Sequence, residues 1–327
     1  ILNLYKITKF TMQSNILISG SLAYDYIMDF PDSFKHHILP EHIHMLNVSF
    51  VVDKLEKNIG GCAGNIGYTM NLLEGSPLVF GPLGTDGEEY LKHFKTLNID
   101  TSYMPISKNV LSSSAYITTD KDDNQINAFY PGAGNEATDL HVADVNPKPT
   151  FAIIGPTKKE AMVQHAKECY DEHIPFCFDP GQQITVLSPQ ELMAAIGQST
   201  MLIGNDYEMK MIEKKTGWDK NELFEHVEVV ITTLGDKGSV IATKNEIFEI
   251  QPCSPTSIED PTGAGDSYRA GFFTAYAAGK DLKTCGQVGS VAAVYAVEKY
   301  GTQNHAFDIV EFGERYERTY GSTIHLR

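Results

Sequence analysis

The stretch Asp260-Pro261-Thr262-Gly263-Ala264-Gly265-Asp266 runs into a helix-like segment that begins at Ser267. Small residues ahead of a helix let backbone N–H groups converge on an anion, and the helix dipole adds positive potential there. A carboxylate on the first turn of such a helix could accept the proton of an attacking hydroxyl. The amides of Ala264, Gly265 and Asp266 would then stabilise charge on a phosphoryl group in transfer. Read alone, the segment is explained equally well as a Gly-rich turn with an acidic residue at a helix start.

A second constellation, Gly60-Gly61-Cys62-Ala63-Gly64-Asn65, also opens a helical pattern. Its glycines permit close approach of backbone to a ligand, and Asn65 offers both a donor and an acceptor to a hydroxyl group. A flexible N-terminal turn is the competing explanation. Asp25 at the end of the first strand motif and Glu208 near a helix start are, taken singly, a turn residue and a solvated carboxylate. Asp179-Pro180-Gly181 ends a strand on the side where parallel-sheet sites gather and could touch phosphate, but a simple loop is the better reading. Phe129 and Tyr130 could stack on a nucleobase, although aromatic residues in strands usually belong to a core. The imidazoles His36, His37, His42 and His44 lack zinc-helix spacing and a completing set of Cys or carboxylate ligands. They read as a connector, not a metal site.

These residues need a scaffold, and the chain supplies a repeating one. Asn15–Gly20, Leu78–Leu83, Phe151–Gly155, Pro175–Asp179, Met201–Gly204 and Val229–Thr233 are apolar strand candidates. Helical patterns alternate with them at Cys62–Leu73, Glu88–Leu97, Lys158–His173 and Pro189–Gln198. Ser239–Thr243 and Glu246–Ile250 form an edge hairpin, and Gly263–Ala278 and Leu282–Lys299 are closing helices. The alternation predicts an α/β fold, a doubly wound, mostly parallel sheet with helices on both faces. Tyr24–Phe30 and Val48–Asp53 also look like strands. Ala115–Thr119 and Gln125–Tyr130 join through a polar turn as a hairpin. Together these pieces predict a small β-sheet lid, residues 25–53 and 111–131, inserted into a main domain of residues 14–24, 54–110 and 132–320. Residues 1–12 read as a disordered extension, with the natural start near Met12.

Composition narrows the partners. A net charge of −16 over 327 residues argues against nucleic acid or an anionic membrane surface. It leaves room for an anionic nucleotide held by amides, helix termini and Mg²⁺. Five scattered cysteines without a C-x-x-C pair suit a reducing cytoplasm. No apolar run reaches the roughly 18 residues of a membrane span.

With these motifs in order, the chain resembles the ribokinase-like (PfkB) carbohydrate kinase family. Gly20-Ser21-Leu22-Ala23-Tyr24-Asp25 matches its first-strand motif, and Gly60–Asn65 its Gly-Gly-x-x-x-Asn signature. Asn205-Asp206-Tyr207-Glu208 matches Asn-x-x-Glu, and Thr233–Gly238 matches Thr-x-Gly-x-x-Gly. Asp260–Asp266 matches Asp-x-x-Gly-Ala-Gly-Asp. The resemblance implies that Asp266 is the catalytic base, with Gly263, Ala264 and Gly265 as its anion hole. It implies that Asp25, Gly60, Gly61 and Asn65 bind substrate hydroxyls. Asn205 and Glu208 would organise Mg²⁺, and Thr233, Gly235 and Gly238 would line an ATP site, with Asn304 near the adenine. Asp260 would belong to a K⁺ site.

Within the family, Gly20–Asp25, His36–Pro40, Gly60–Tyr68, Asp122–Ile126, Tyr130–Ala133 and Asn205–Glu208 are most similar to bacterial adenosine and nucleoside kinases. The implied reaction is phosphorylation of the 5′-hydroxyl of adenosine or a related purine nucleoside by ATP, giving AMP from adenosine. A ribokinase- or fructokinase-type sugar kinase is the alternative, and a catalytically silent ligand sensor is the alternative of another class. The assembly expected is a monomer or a homodimer. Ser267-Tyr268-Arg269 departs from the common pattern of a small residue followed by Phe.

Overall fold

The computed structural model describes residues 14–39, 45, 47–122 and 124–326. The expected extension over residues 1–12, and His42 and His44, lie outside them. Its strands are β1 (Asn15–Ser19), β2 (Ala23–Asp29), β3 (Lys54–Gly60), β4 (Ser76–Phe80), β5 (Ser113–Thr119) and β6 (Gln125–Tyr130). There follow β7 (Phe151–Ile154), β8 (Phe176–Phe178), β9 (Met201–Asn205), β10 (Val229–Thr233), β11 (Ser239–Thr243) and β12 (Ile247–Ile250). The helices are α1 (Cys62–Leu72), α2 (Glu88–Thr96), α3 (Lys159–Asp171), α4 (Pro189–Gln198) and α5 (Asp206–Thr216). The chain then adds α6 (Lys220–Leu223), α7 (Ala264–Ala277), α8 (Leu282–Val297) and α9 (Ile309–Tyr320).

Eight strands form one sheet in the order β12-β11-β10-β9-β8-β7-β1-β4. From β4 to β10 all pairings are parallel, and β11 and β12 add an antiparallel edge. The period-2 alternation of the strands sorts their side chains between two cores. Ile16, Ile18, Ile153, Ile203 and Ile231 face α1, α7, α8 and α9. Leu17, Ile154, Phe178, Leu202 and Val230 face α3, α4 and α5. Burial on both faces explains why these strands read as continuous apolar runs.

The second sheet runs β3-β2-β5-β6. The reading of Val48–Asp53 as a strand is corrected: the strand is Lys54–Gly60, paired antiparallel to β2. Val48–Asp53 carries the β-branched and aromatic residues, but as a loop. Its Phe50 packs on Phe30 and Phe34 at 4.8 and 5.0 Å between ring centroids. Lys54, Leu55 and Lys57 are exposed, so the Lys54–Gly60 strand lacks an apolar signature in the sequence. Helix α9 had no counterpart among the sequence expectations.

Candidate functional site

In a parallel sheet the strand order reverses beside β1, and ligands gather at the C-terminal ends of the strands there. This chain places chemistry at those ends. Ser21 follows β1, Pro156 follows β7, Asp179 follows β8, Asn205 ends β9 and Thr233 ends β10; all five line one cleft of about 1120 Å³. Gly263, Gly265 and Asp266 line it from the start of α7, and Phe129 from the small sheet.

Gly263 is the residue that makes the α7 entrance possible. It caps the helix at φ 79°, a left-handed conformation that a side chain would strain. Asp266 follows in the first turn, where its carboxylate meets α1. Asn65 Nδ2 donates to Asp266 Oδ2 at 2.8 Å, and Gln303 Nε2 donates to Asn65 Oδ1 at 3.0 Å. Because Gln303 occupies the carbonyl side of Asn65, the amide side is left to face the carboxylate. Gln303 in turn meets His93 Nε2 through Oε1, at 3.2 Å. Burial pushes the Asp266 carboxyl up to about 6, against the opposing pull of Arg269 and the Asn65 hydrogen bond.

Asp25 lies over Gly60. A Cβ at Gly60 would stand 2.2 Å from Asp25 Oδ2, so only glycine admits the carboxylate there. Burial, then the charges of Asp266 and Asp260, push Asp25 up to about 6. Gly61 turns the chain into α1 at φ 88°. Cys62 also lines the cleft, but burial pushes its thiol up to about 12. A raised thiol pKa disfavours the reactive thiolate.

Asn205 and Glu208 form a capping box at the start of α5. Asn205 N donates to Glu208 Oε2 at 2.7 Å, and Glu208 N to Asn205 Oδ1 at 2.8 Å. The box fixes both side chains at the cleft. Burial raises the Glu208 carboxyl against the Asn205 N–H bond. Thr233 is followed by a turn holding Gly235 and Gly238 before β11. Asp260 is buried and ties two loops, accepting from Thr262 N at 2.9 Å and Gly301 N at 3.1 Å.

Asn304, expected near the adenine, is held in its own loop. Its side chain donates to Tyr300 O at 2.8 Å and to Asn58 Oδ1 of β3 at 3.5 Å. His36 Nδ1 and His37 Nε2 both bond the exposed Asp32 carboxylate, at 2.9 and 3.0 Å. Among the described residues no group of three or more His, Cys, Asp or Glu is arranged to hold a metal.

The sequence reading missed three participants. Gln303 sits in the loop that carries Asn304, and only the fold brings it to Asn65. Asp179, read as a loop residue, is 2% exposed and pairs through both oxygens with Arg269. Arg269 itself stood out only as a departure after Asp266, with no charge partner in view.

The chain is similar in sequence and fold to known kinases. The family model described as pfkB family carbohydrate kinase matches residues 24–308. A nucleoside kinase of Methanocaldococcus jannaschii is 32% identical over 301 residues, covering 91% of this chain and 95% of that protein. The structure of Burkholderia thailandensis nucleoside kinase in complex with inosine is 35% identical with a TM-score of 0.87, covering 94% of this chain and 99% of that one. The same enzyme in complex with ADP-inosine gives a TM-score of 0.84 at 36% identity, covering 94% and 97% of the two chains.

Proposed function

The chain belongs to the pfkB family of carbohydrate kinases, and from that premise we propose that it phosphorylates the 5′-hydroxyl of a purine nucleoside, adenosine or a close relative, with ATP as donor. The observation that carries the nucleoside reading is a row of residues across the small sheet. Asp25 is in register with Ala115, and Ala115 with Phe129. On the next row of the same face, Ile27 is in register with Ile117, and Ile117 with Asn127. Ala115, Ile117, Asn127 and Phe129 all line the cleft. Two strand spacings separate Asp25 from Phe129, about 10 Å. A diol held at Asp25 would therefore direct a base across Ala115 towards the exposed ring of Phe129. That span suits a nucleoside; a free pentose would leave the apolar end unused. The inosine named for the Burkholderia relative supports the same class of acceptor.

In this reading Asp25 accepts from two substrate hydroxyls, and Asp266 takes the proton of the third. The oxygen so released attacks the γ-phosphorus in line, the bond to the β-phosphate oxygen breaks, and ADP leaves. The N–H groups of Ala264, Gly265 and Asp266 stabilise the migrating phosphoryl group. Thr233 and the Gly235–Gly238 turn hold the nucleotide. Glu208 Oε1, beside Asn205, is an oxygen donor of the kind Mg²⁺ takes while keeping waters and phosphate oxygens. Mg²⁺ there would neutralise triphosphate charge. EDTA should abolish turnover and Mg²⁺ restore it. Asp260 and the carbonyls of its loops suit K⁺, so K⁺ activation should be lost in Asp260→Ala. Five free thiols, four of them buried, support a reducing, cytoplasmic setting.

The test is ADP release with adenosine, inosine, guanosine, cytidine, ribose and fructose as acceptors. Purine nucleosides should give the highest kcat/KM. Preference for ribose or fructose would transfer the assignment to a sugar kinase, and no ADP release with any acceptor would favour a silent sensor.

A further inference from the structure

Arg269 is an unusual occupant for the wall of this cleft. It is 8% exposed, and its guanidinium grips Asp179 in a fork, Nε to Oδ2 and Nη2 to Oδ1. The remaining terminal nitrogen, Nη1, donates to Gly265 O at 3.0 Å. Thus one side chain, anchored at the end of β8, holds a carbonyl of the first turn of α7. That carbonyl belongs to the peptide linking Gly265 to Asp266, whose N–H is one of the three amides aimed at the phosphoryl group. Fixing the oxygen fixes the N–H at its other end, because the peptide is planar.

The charges around it give the pair a second role. Asp266 on α7 faces Asp25 from β2 and Asp179 from beyond β8, with neutral Asn65 and Cys62 on α1; Glu208 from α5 faces Arg269, and Asp260 from the preceding loop faces Asp25. Arg269 is the guanidinium placed within that acidic group. A bidentate Arg–carboxylate fork is rigid, and a lysine cannot reproduce it. We propose that Arg269, anchored by Asp179, is a positioning residue that orients the Gly265–Asp266 peptide towards the phosphoryl group and offsets the charge of the general base. The proposal rests on the kinase reading above and adds to it a residue that acts through Asp266.

The test compares wild type, Arg269→Met, Arg269→Lys and Asp179→Asn in ATP-dependent phosphorylation of inosine, following kcat, both KM values and the pH dependence of kcat/KM. Wild-type turnover establishes the kinase reading independently; if wild type turns over no acceptor, that reading fails whatever the variants do. Arg269→Met should lower kcat by about 10²-fold with little change in the KM for inosine, and move the acid limb to higher pH by about one unit. Asp179→Asn should also lower kcat but move the limb to lower pH, since it removes a negative neighbour of Asp266. Arg269→Lys should keep the limb near its wild-type position and still lose turnover, because the charge remains and the fork does not. Should Arg269→Met fail to fold, the other two variants carry the test. Acid limbs unchanged from wild type in both Arg269→Met and Asp179→Asn, or full turnover in Arg269→Lys, would overturn the proposal.

Discussion

Asn65 of α1 donates from Nδ2 to Oδ2 of Asp266 on α7 at 2.8 Å, joining two Gly-rich turns that stand 201 residues apart in the chain. The bond runs from a neutral amide to a buried carboxylate, a kind worth about 1.5–3 kcal/mol. Asn65→Ala removes it and leaves Gln303 Nε2 only its longer bond to Tyr90 Oη, at 3.4 Å. The acid limb of kcat/KM should move to higher pH, because the Asn65 bond favours the ionised form of Asp266. Titrating wild type and variant side by side checks this. An unmoved limb would detach Asn65 from the base.

The pH profile of the wild type follows from two carboxyls. Burial raises both Asp25 and Asp266 to about 6, so each becomes charged only as pH rises through that value. Asp266 can take a proton only when ionised, and Asp25 can accept from two hydroxyls only when ionised. The kcat/KM for a nucleoside should therefore fall below about pH 6 more steeply than one ionisation allows, and level off above it. A limb centred near the ordinary carboxylate range would mean that neither group is essential.

Phe129 carries the base-binding half of the account. It is 59% exposed on a strand whose six residues are all exposed, so its removal should cost little stability. Phe129→Ala should raise the KM for a purine nucleoside by about 10-fold, in keeping with roughly 1–3 kcal/mol for a base stacked on an aromatic ring. Its effect on any ribose phosphorylation should be small. Equal losses for nucleoside and ribose would place the base elsewhere.

The framework that carries the catalytic turn makes a contrasting prediction. Phe273 of α7 is fully buried and packs on Phe151 of β7, with ring centroids 5.4 Å apart. Phe273→Ala should lower stability by about 3–5 kcal/mol in denaturant unfolding. The folded fraction should keep near-normal KM values, because Phe273 points away from the cleft lining.

Much of this arrangement is legible in the residues. Strands of the large sheet announce themselves because both faces are buried, and the cleft follows from where their C-terminal ends must gather. The Gly263–Asp266 and Gly60–Asn65 turns are visible because backbone conformation and close approach restrict residue type. What stays hidden depends on partners distant in sequence. Lys54–Gly60 reads as polar coil because its pairing partner, not its own pattern, makes it a strand. Val48–Asp53 reads as a strand because a loop that packs Phe50 on Phe30 and Phe34 carries the same residue types. Gln303, Asp179 and Arg269 acquire meaning only when β8, α1 and α7 converge.

The role of the base is tested most directly by Asp266→Asn, which keeps the shape of the side chain and removes its capacity to take a proton. Turnover of inosine with Mg·ATP should fall by at least about 10²-fold, while calorimetry should find ATP and nucleoside still bound. Turnover close to that of the wild type, with both ligands bound as before, would contradict the account.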